Sequence, residues 1–413
     1  MKTFRTTAVL VGLFFTCAYI ISVTENVSTL VHRIAGPSTE GVRVDERHHN
    51  FTFPSRDARF RYYMGDWYDH TLDPNDIPCD EIASFDELLP GQAVMYSARW
   101  IEDEIKKKKL KAIAGLARAY LVHAFDVMNS TEIDPTTDDW QVILLAGDKH
   151  SHSTKLPVVA KTRFSRFARE KDTGKSFFDP IIWPLELERH YNPIGDYTQL
   201  LQKGNVTKWE DKKPSLIWRG GFTGFAADKN LTENYVDGGP RIQAVRANFH
   251  EDTSAIDIAF QAGSPTTNVP FEFNDTKSLV RKSNTNMIDQ LKHKYILSIE
   301  GNDVATGLKW QLVSNSVVFM AKPTTVSFLM EDLLEPFVHY VPVKEDHSDL
   351  VEMVNWARRN DDKCKLISEQ ATAYIDRLWM SEEAKADNIA IVKKLGEAYH
   401  KQFEDAMKTC NKK

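Results

Sequence analysis

Asp148 is a residue whose type and position in the sequence suggest catalysis. It follows the apolar run 140–146 and Gly147, so its carboxylate is expected to face a cleft at the end of a buried strand. There it could accept a proton from a hydroxyl group. Two other interpretations stay open: Asp148 caps a turn, or it alternates with His150 and His152 on one strand face as a metal ligand.

The loop 300–307 is a candidate anion site. It reads Glu-Gly-Asn-Asp-Val-Ala-Thr-Gly and leads into a predicted helix at Leu308. Small residues there would expose backbone N–H groups at the positive end of the helix dipole, and Lys309 would add a full charge. The pattern therefore predicts a diphosphate site at the carboxyl edge of a parallel sheet, with an ordinary tight connection as the alternative. The spacing matches neither a P-loop nor G-x-G-x-x-G.

Arg219 is a second candidate for the same ligand. It follows the apolar residues 216–218 and precedes Gly220 and Gly221. A guanidinium suits a diphosphate because it is planar and permanently charged. We therefore expect Arg219 to close the cradle formed by the loop from a neighbouring strand, although a structural salt bridge is an equal alternative.

The elements that must position these residues alternate between strand and helix. Strands are predicted over 140–146, 156–160, 216–221, 295–299, 317–320 and 339–343. The succession of strand, loop, helix and strand over 295–320 is a βαβ unit, which favours an α/β fold with parallel sheets. Helical periodicity covers about 84–128, and a last helix is predicted over 381–408.

Length and composition bound the class of protein. The chain has 413 residues, enough for two or three folded units. Its 52 basic and 58 acidic residues give a formal charge of −6, which argues against a nucleic-acid binder. A hydrophobic content of 42% excludes wholesale disorder, and four cysteines are too few for a scaffold built on disulfides.

The N-terminus predicts a location. Residues 6–23 carry no charge over 18 positions, and Lys2 and Arg5 precede them, as in a signal anchor with the remainder in the lumen. A cleaved signal peptide is the alternative. The expected protein is therefore a single-pass type II membrane protein of the Golgi or endoplasmic reticulum. Six glycosylation sequons agree with this location: Asn26, Asn50, Asn129, Asn205, Asn230 and Asn274.

Three cysteines lie outside the predicted anchor, namely Cys79, Cys364 and Cys410. An oxidising lumen would allow one disulfide among them and leave one thiol over. A Cys364–Cys410 bridge and three free, buried thiols are both open interpretations.

Several stretches resemble the CAP10-like glycosyltransferases of family 90, which include protein O-glucosyltransferases, capsule xylosyltransferases and lipopolysaccharide-modifying transferases. The resemblance is continuous over about 215–380 and weaker over 60–215. The stretches that carry it are Trp218-Arg-Gly-Gly221, Glu300-Gly-Asn-Asp-Val-Ala-Thr-Gly-Leu-Lys-Trp310, Ser314-Asn-Ser-Val-Val-Phe-Met320 and the segment 330–343.

The resemblance implies a GT-B-like fold, in which two Rossmann-like domains face a cleft, here with an N-terminal anchor helix. The predicted units are a cytoplasmic tip and anchor (1–23), a stem (24–60), an acceptor-side domain (61–214), a nucleotide-sugar domain (215–380) and a C-terminal helix (381–413).

The resemblance also implies inverting transfer of a sugar, with glucose or xylose expected, from a UDP-sugar to a hydroxyl of a glycan or protein. No metal or other cofactor is required. Asp148 would be the catalytic base. The expected nucleotide-sugar contacts are Arg219, Arg241, Gly301, Ala305, Thr306, Gly307, Lys309 and Glu331, of which Glu331 could equally be structural.

Two other functions stay open. A carbohydrate-binding protein of the same fold without turnover would keep the loop and lose catalysis. A glycoside hydrolase would need a pair of carboxylates, for which the sequence has no recognisable motif. Hydrolysis of a UDP-sugar without acceptor would separate a transferase from a binding protein.

Overall fold

The computed structural model describes residues 51–70, 79, 93–106, 116–134, 140–148, 156–171, 179–224, 239–252, 254–264, 271–281 and 285–410. The predicted anchor, three of the sequon asparagines (Asn26, Asn50 and Asn230) and the possible metal ligands His150 and His152 lie outside these residues.

Helices and strands alternate along most of the described chain. The helices are α1 Arg56–Met64, α2 Ala98–Lys106, α3 Leu116–Asn129, α4 Arg166–Lys171, α5 Leu187–His190, α6 Asn192–Gln202, α7 Pro240–Asn248, α8 Met287–Gln290, α9 Leu308–Leu312, α10 Leu350–Arg359, α11 Asp361–Ile375 and α12 Glu382–Cys410. The strands are β1 Ala93–Ser97, β2 Gln141–Leu145, β3 Val159–Ala160, β4 Arg163–Phe164, β5 Ile181–Ile182, β6 Lys213–Gly220, β7 Ile256–Gln261, β8 Val280–Arg281, β9 His293–Leu297, β10 Val317–Met320, β11 Thr325–Val326 and β12 Val341–Pro342.

The larger sheet has six strands in the order β12-β10-β9-β6-β7-β8, and every neighbouring pair is parallel. All residues of β9 and β10 are buried, as expected for strands that are covered on both faces. The unit β9–α9–β10 is the predicted βαβ unit, which is confirmed. Strand order reverses between β6 and β9, so the sheet is doubly wound.

The smaller sheet has the order β1-β2-β3-β5. Strand β1 is antiparallel to β2, whereas β2, β3 and β5 are parallel to one another. In a third sheet, β4 pairs with β11. Because β4 follows β3 of the smaller sheet and β11 follows β10 of the larger sheet, this pair connects the two. A mixed α/β architecture with parallel sheets, the fold class predicted from the sequence, is present.

Three predictions about elements fare differently. The last helix is confirmed as α12. Continuous helical periodicity over 84–128 is wrong in its first part, because the strand β1 pairs with β2 there. Helix α1 begins inside the range predicted as a stem, and it packs against α12, where the buried Arg59 side chain hydrogen-bonds Asn388.

The cysteine pairing differs from both interpretations of the sequence. Cys79 and Cys410 form a disulfide, and Cys364 is free and buried. The two bonded residues lie 331 positions apart, so sequence spacing gave no hint of this pair. The bridge attaches the end of α12 to the N-terminal part of the chain.

The predicted localisation requires correction. Within the described ranges, no helix combines the length and the apolar character that crossing a membrane demands. The localisation as a type II membrane protein of the Golgi or endoplasmic reticulum is therefore withdrawn.

Candidate active site

The reversal of strand order in the larger sheet marks a crevice between the carboxyl ends of β6 and β9. Parallel α/β sheets bind ligands at such a point, because the loops on its two sides diverge to opposite faces. Here the two loops are 220–224, after β6, and 298–307, after β9. The second contains the stretch that the sequence singles out.

Arg241 on α7 fastens these two loops together. Its guanidinium donates to the carbonyl oxygens of Gly221 (3.2 Å), Ile299 (3.2 Å) and Glu300 (3.1 Å), and to Thr223 Oγ1 (2.6 Å). Burial lowers the pKa of Arg241 to about 10, so the side chain is charged at neutral pH. The structure thus places Arg241 at the crevice, where most of its donors are already used by the protein.

Gly301 lies where the two loops touch. A Cβ at this position would come within 2.8 Å of Thr223 Oγ1 and 2.9 Å of Arg241 Nη2. From the other side, a Cβ on Gly224 would meet the carbonyl oxygen of Gly301 at 3.0 Å. Glycine is needed here for close approach of the backbones.

The loop 301–307 is closed by its own backbone. Gly301 donates to the carbonyl oxygen of Asp303, and Leu308 donates to that of Ala305. Among the described residues, the N–H groups of 304–307 find no acceptor, although Val304 and Ala305 are buried. Successive backbone N–H groups that have no acceptor in the protein suit an anion.

Carboxylates from both large sheets converge on Lys161, directly after β3. Its ammonium lies 3.1 Å from Asp148 after β2, 3.0 Å from Glu186 after β5 and 2.7 Å from Asp303 after β9. Only 4% of the Lys161 side chain is exposed. Burial opposes its charge, but the surrounding carboxylates outweigh burial and raise the pKa of Lys161. The carboxyl edges of the two sheets therefore meet at one buried cation.

Asp148 is the most accessible member of this cluster, with 24% of its side chain exposed. Gly147, at φ +88°, turns the chain at the end of β2 and directs Asp148 into the crevice. Burial alone would raise the pKa of Asp148, but the Lys161 charge and the hydrogen bond from Asn302 Nδ2 (3.2 Å) lower it. Asp148 is therefore ionised at neutral pH and could accept a proton.

Glu186 supports the cluster from behind. Its oxygens accept from Tyr120 (3.2 Å), Lys161 (3.0 Å) and Arg189 (3.0 Å). Burial would raise the pKa of Glu186, but His190 and Lys161 reverse the direction and lower it well below its usual value. Arg189 is 48% exposed, so it is the cation of this group that reaches solvent.

The pKa of the Asp303 carboxylate is shifted in the opposite direction, upward. Burial raises its pKa to about 6, against the attraction of Lys161 and with the repulsion of Asp148. The structure thus contains two carboxylates on one lysine whose pKa values move apart, which is a frequent feature of active sites.

Lys309 does not face the crevice. Its side chain is 0% exposed and its ammonium lies 3.1 Å from Glu331, which also accepts from the N–H and hydroxyl of Ser327. Neither Lys309 nor Glu331 reaches the loop surface where a diphosphate or ribose would lie. Their assignment as nucleotide contacts stays a prediction.

Arg219 is also turned away from the loop. Its guanidinium donates to Asp257 Oδ2 (2.8 Å), to the Asp257 carbonyl (2.9 Å) and to the Trp218 carbonyl (2.8 Å). Because Asp257 pairs with Ile217 in the sheet, this contact draws the side chain back along β6, away from its carboxyl end. Among the predicted site residues, those at the crevice are Asp148, Arg241, Gly301, Ala305, Thr306 and Gly307. The side chains of Arg219, Lys309 and Glu331 do not reach it.

Sequence reasoning missed four residues of the cluster. Lys161 ends a predicted strand just as Asp148 does, which was a usable signal. Asn302 and Asp303 stand inside the predicted loop, for which the sequence predicted a role of backbone N–H groups and not of side chains. Glu186 gave no signal, because its αL conformation (φ +58°) and its contacts depend on the folded chain.

The possible metal site of Asp148, His150 and His152 includes residues outside the described part of the chain. Among the residues that the structure does describe, no group of three or more histidine, cysteine, aspartate or glutamate residues is arranged to hold a metal ion.

Comparison with known proteins now connects this geometry to a family. Residues 189–390 match the family model described as Glycosyl transferase family 90. The O-glucosyltransferase LpsA of Dichelobacter nodosus is 31% identical over 222 residues, which cover 54% of this chain and 57% of the relative. Protein O-glucosyltransferase 1 of Rattus norvegicus is 25% identical over 226 residues, 53% of this chain and 52% of the relative.

An uncharacterized protein, 179R, of Invertebrate iridescent virus 6 is 30% identical over 200 residues, or 44% of this chain and 16% of the viral protein. The chain thus spans about half the length of the two O-glucosyltransferases and a smaller part of the viral protein. The resemblance predicted from the sequence is confirmed over residues 189–390, and with it the enzyme class at the level of the family: this part of the chain is a glycosyl transferase family 90 domain.

Proposed function

We propose that the protein is an inverting glycosyltransferase that moves a sugar from a UDP-sugar to a hydroxyl group of a glycan or protein. Glucose and xylose are the proposed sugars, and two relatives carry the name O-glucosyltransferase. The proposal includes a GT-B arrangement, in which the carboxyl ends of the parallel strands of the two larger sheets face the same crevice. The observation that carries it is the hydrogen bond (3.2 Å) from Asn302 Nδ2, in the loop 301–307 of the larger sheet, to the carboxylate of Asp148 at the edge of the smaller sheet.

In the proposed reaction, Asp148 takes the proton of the acceptor hydroxyl as its oxygen attacks the anomeric carbon. The bond between that carbon and the diphosphate oxygen breaks, and UDP leaves with the bonding electrons. Attack from the side opposite to the leaving group inverts the anomeric configuration. Lys161 keeps the base charged before the reaction, because its ammonium lies 3.1 Å from Asp148 Oδ1.

The departing diphosphate would be received by the loop 301–307. The backbone N–H groups of 304–307, for which the described residues provide no acceptor, are donors that need no rearrangement when charge develops. The half-exposed Arg189 on α5, whose Nη1 lies 3.0 Å from Glu186, is proposed as a further cation for the diphosphate. Arg219 and Lys309, which are bound to Asp257 and Glu331, are not used in this proposal.

Asp148→Asn is the direct test. The variant should fold and bind UDP, but transfer to an acceptor should fall by about 100-fold or more, because an amide cannot accept the proton. Transfer from a panel of UDP-sugars and protection by UDP against thermal unfolding are the two measurements. Asp289→Asn, which alters an exposed aspartate paired with Lys292, is the matched control. If the Asp148→Asn variant transfers sugar as fast as the wild type, Asp148 is not the catalytic base.

Hydrolysis of the donor separates this proposal from a carbohydrate-binding protein. A transferase releases UDP slowly from its donor when water replaces the acceptor, whereas a binding protein does not. If the wild-type protein binds UDP but neither transfers nor hydrolyses any UDP-sugar in the panel, the transferase proposal is wrong.

A further inference from the structure

Asn302 makes hydrogen bonds at both ends of its side-chain amide. Its Nδ2 donates to Asp148 Oδ2 at 3.2 Å, and its Oδ1 accepts from the backbone N–H of Gly224 at 2.9 Å. One amide therefore connects three segments: the end of β2 in the smaller sheet, the loop after β9 and the glycine turn after β6.

The two oxygens of the Asp148 carboxylate are held from opposite sides. Oδ1 accepts from Lys161, on the same sheet as Asp148, whereas Oδ2 accepts from Asn302, on the other sheet. Each oxygen has a second lone pair, so these contacts leave room for an incoming hydroxyl. Together they fix the rotation of the carboxylate about its χ2 bond.

The loop that carries Asn302 is the loop that the proposed function assigns to the diphosphate. Arg241 joins it to the turn 221–224, so the two loops of the larger sheet form one unit. A shift of this unit when a donor occupies it would reach Asp148 through the Asn302 amide.

We propose that Asn302 is a positioning residue that orients the carboxylate of Asp148 and couples it to the donor loop. This inference rests on the proposed function, in which Asp148 is the base. Asn302 itself touches neither the acceptor nor the reacting atoms; it acts through Asp148.

Two substitutions separate the contacts of Asn302. In Asn302→Asp, the side chain still accepts from Gly224 but no longer donates to Asp148 and instead repels it. In Asn302→Ala, both contacts are lost. We expect kcat to fall by about 10–100-fold in both variants, with the larger fall in Asn302→Asp, because a hydrogen bond to a charged group is removed. Asn355→Ala, which alters an exposed asparagine on α10, is the control.

The pH profile provides a readout that a purely structural role would not move. The Asn302 hydrogen bond helps to lower the pKa of Asp148, so its loss should raise that pKa. The acidic limb of kcat/KM should therefore move to higher pH in both variants and stay in place in Asn355→Ala. The pKa of Asp148 can also be followed without turnover, by the carboxyl carbon signal of 13C-labelled aspartate with Asp148→Asn as the assignment reference.

The outcomes distinguish this inference from the function on which it rests. If Asn302→Asp keeps wild-type kcat and pH profile while Asp148→Asn is inactive, the inference fails and the proposed function stands. If no variant or wild-type protein transfers a sugar, the proposed function fails, and an unchanged Asp148 signal in Asn302→Asp then overturns the inference as well. A shifted signal supports it.

Discussion

Lys161 and Lys309 are both buried lysines near the same crevice, yet their surroundings differ. Lys161 contacts three carboxylates that follow strands of two sheets. One of these carboxylates, Asp148, is partly exposed. Lys309 meets Glu331 in the core and is closed off from solvent. Because a buried charge is useful for chemistry only if a reactive group shares its field and can be reached, the first arrangement suits catalysis and the second suits folding.

The largest expected effect comes from breaking the Lys309–Glu331 pair. Lys309→Ala should lower the free energy of unfolding by about 3–5 kcal/mol, because Glu331 would be left buried without its cation. Denaturant unfolding measures this. The double variant Lys309→Met with Glu331→Gln should recover part of the loss. If the Lys309→Ala variant is as stable as the wild type and only binds UDP more weakly, Lys309 contacts the nucleotide sugar, as the sequence suggested. The contrast drawn between Lys161 and Lys309 would then be wrong.

Lys161→Met tests the other half of the comparison. Without the ammonium the pKa of Asp148 should rise, so the base would become protonated at a higher pH. Activity of the wild-type protein should be lost only as pH falls through the lowered pKa of Asp148, and in the variant this loss should begin at higher pH. We expect a fall of about 10–100-fold in kcat at neutral pH. A pH–rate profile of both proteins is the measurement, and coincident acidic limbs would contradict the assignment.

Arg219→Ala tests Arg219, a third cation that the sequence assigned to the diphosphate. Its contacts with Asp257 predict a loss of about 1–3 kcal/mol in the free energy of unfolding, with UDP affinity unchanged. Thermal unfolding with and without UDP separates the two effects. A weaker UDP interaction at unchanged stability would instead favour the diphosphate role suggested by the sequence.

The smallest change in stability is expected at Lys212, another buried lysine. Within the described residues its ammonium meets only neutral acceptors, Ser316 Oγ (2.6 Å) and the Ser314 carbonyl (3.2 Å). Burial lowers its pKa to about 7. Since the unfolded chain keeps the proton up to about pH 10.4, stability should rise between about pH 7 and pH 10.

Lys212→Met should remove this dependence on pH and raise stability at neutral pH by about 1–2 kcal/mol. Unfolding measured at several pH values tests it. A destabilised variant with the same slope would show that the hydrogen bonds of Lys212 outweigh the cost of burying it.

Local sequence predicted half of the strands and their order along the chain. Apolar runs predicted β2, β9 and β10, and the small-residue loop before α9 marked the carboxyl edge of the larger sheet. Asp148 was found in the same way, because a carboxylate after a buried run and a glycine is visible in one dimension. The run 156–160 also predicted β3. The strands β1 and β5 were not predicted, and β5 has only two residues, too few to show a period.

The sequence by itself determined which loops would border a crevice and that charged residues would stand there, because strand ends and glycine turns are local features. Only the tertiary structure decided which charge faces which: Lys161 toward Asp148, Glu186 and Asp303, but Lys309 toward Glu331 and Arg219 toward Asp257. The direction of a long side chain depends on the partner that compensates its burial. Such partners are brought together by sheet pairing and packing, which leave no mark in the spacing of residues along the chain.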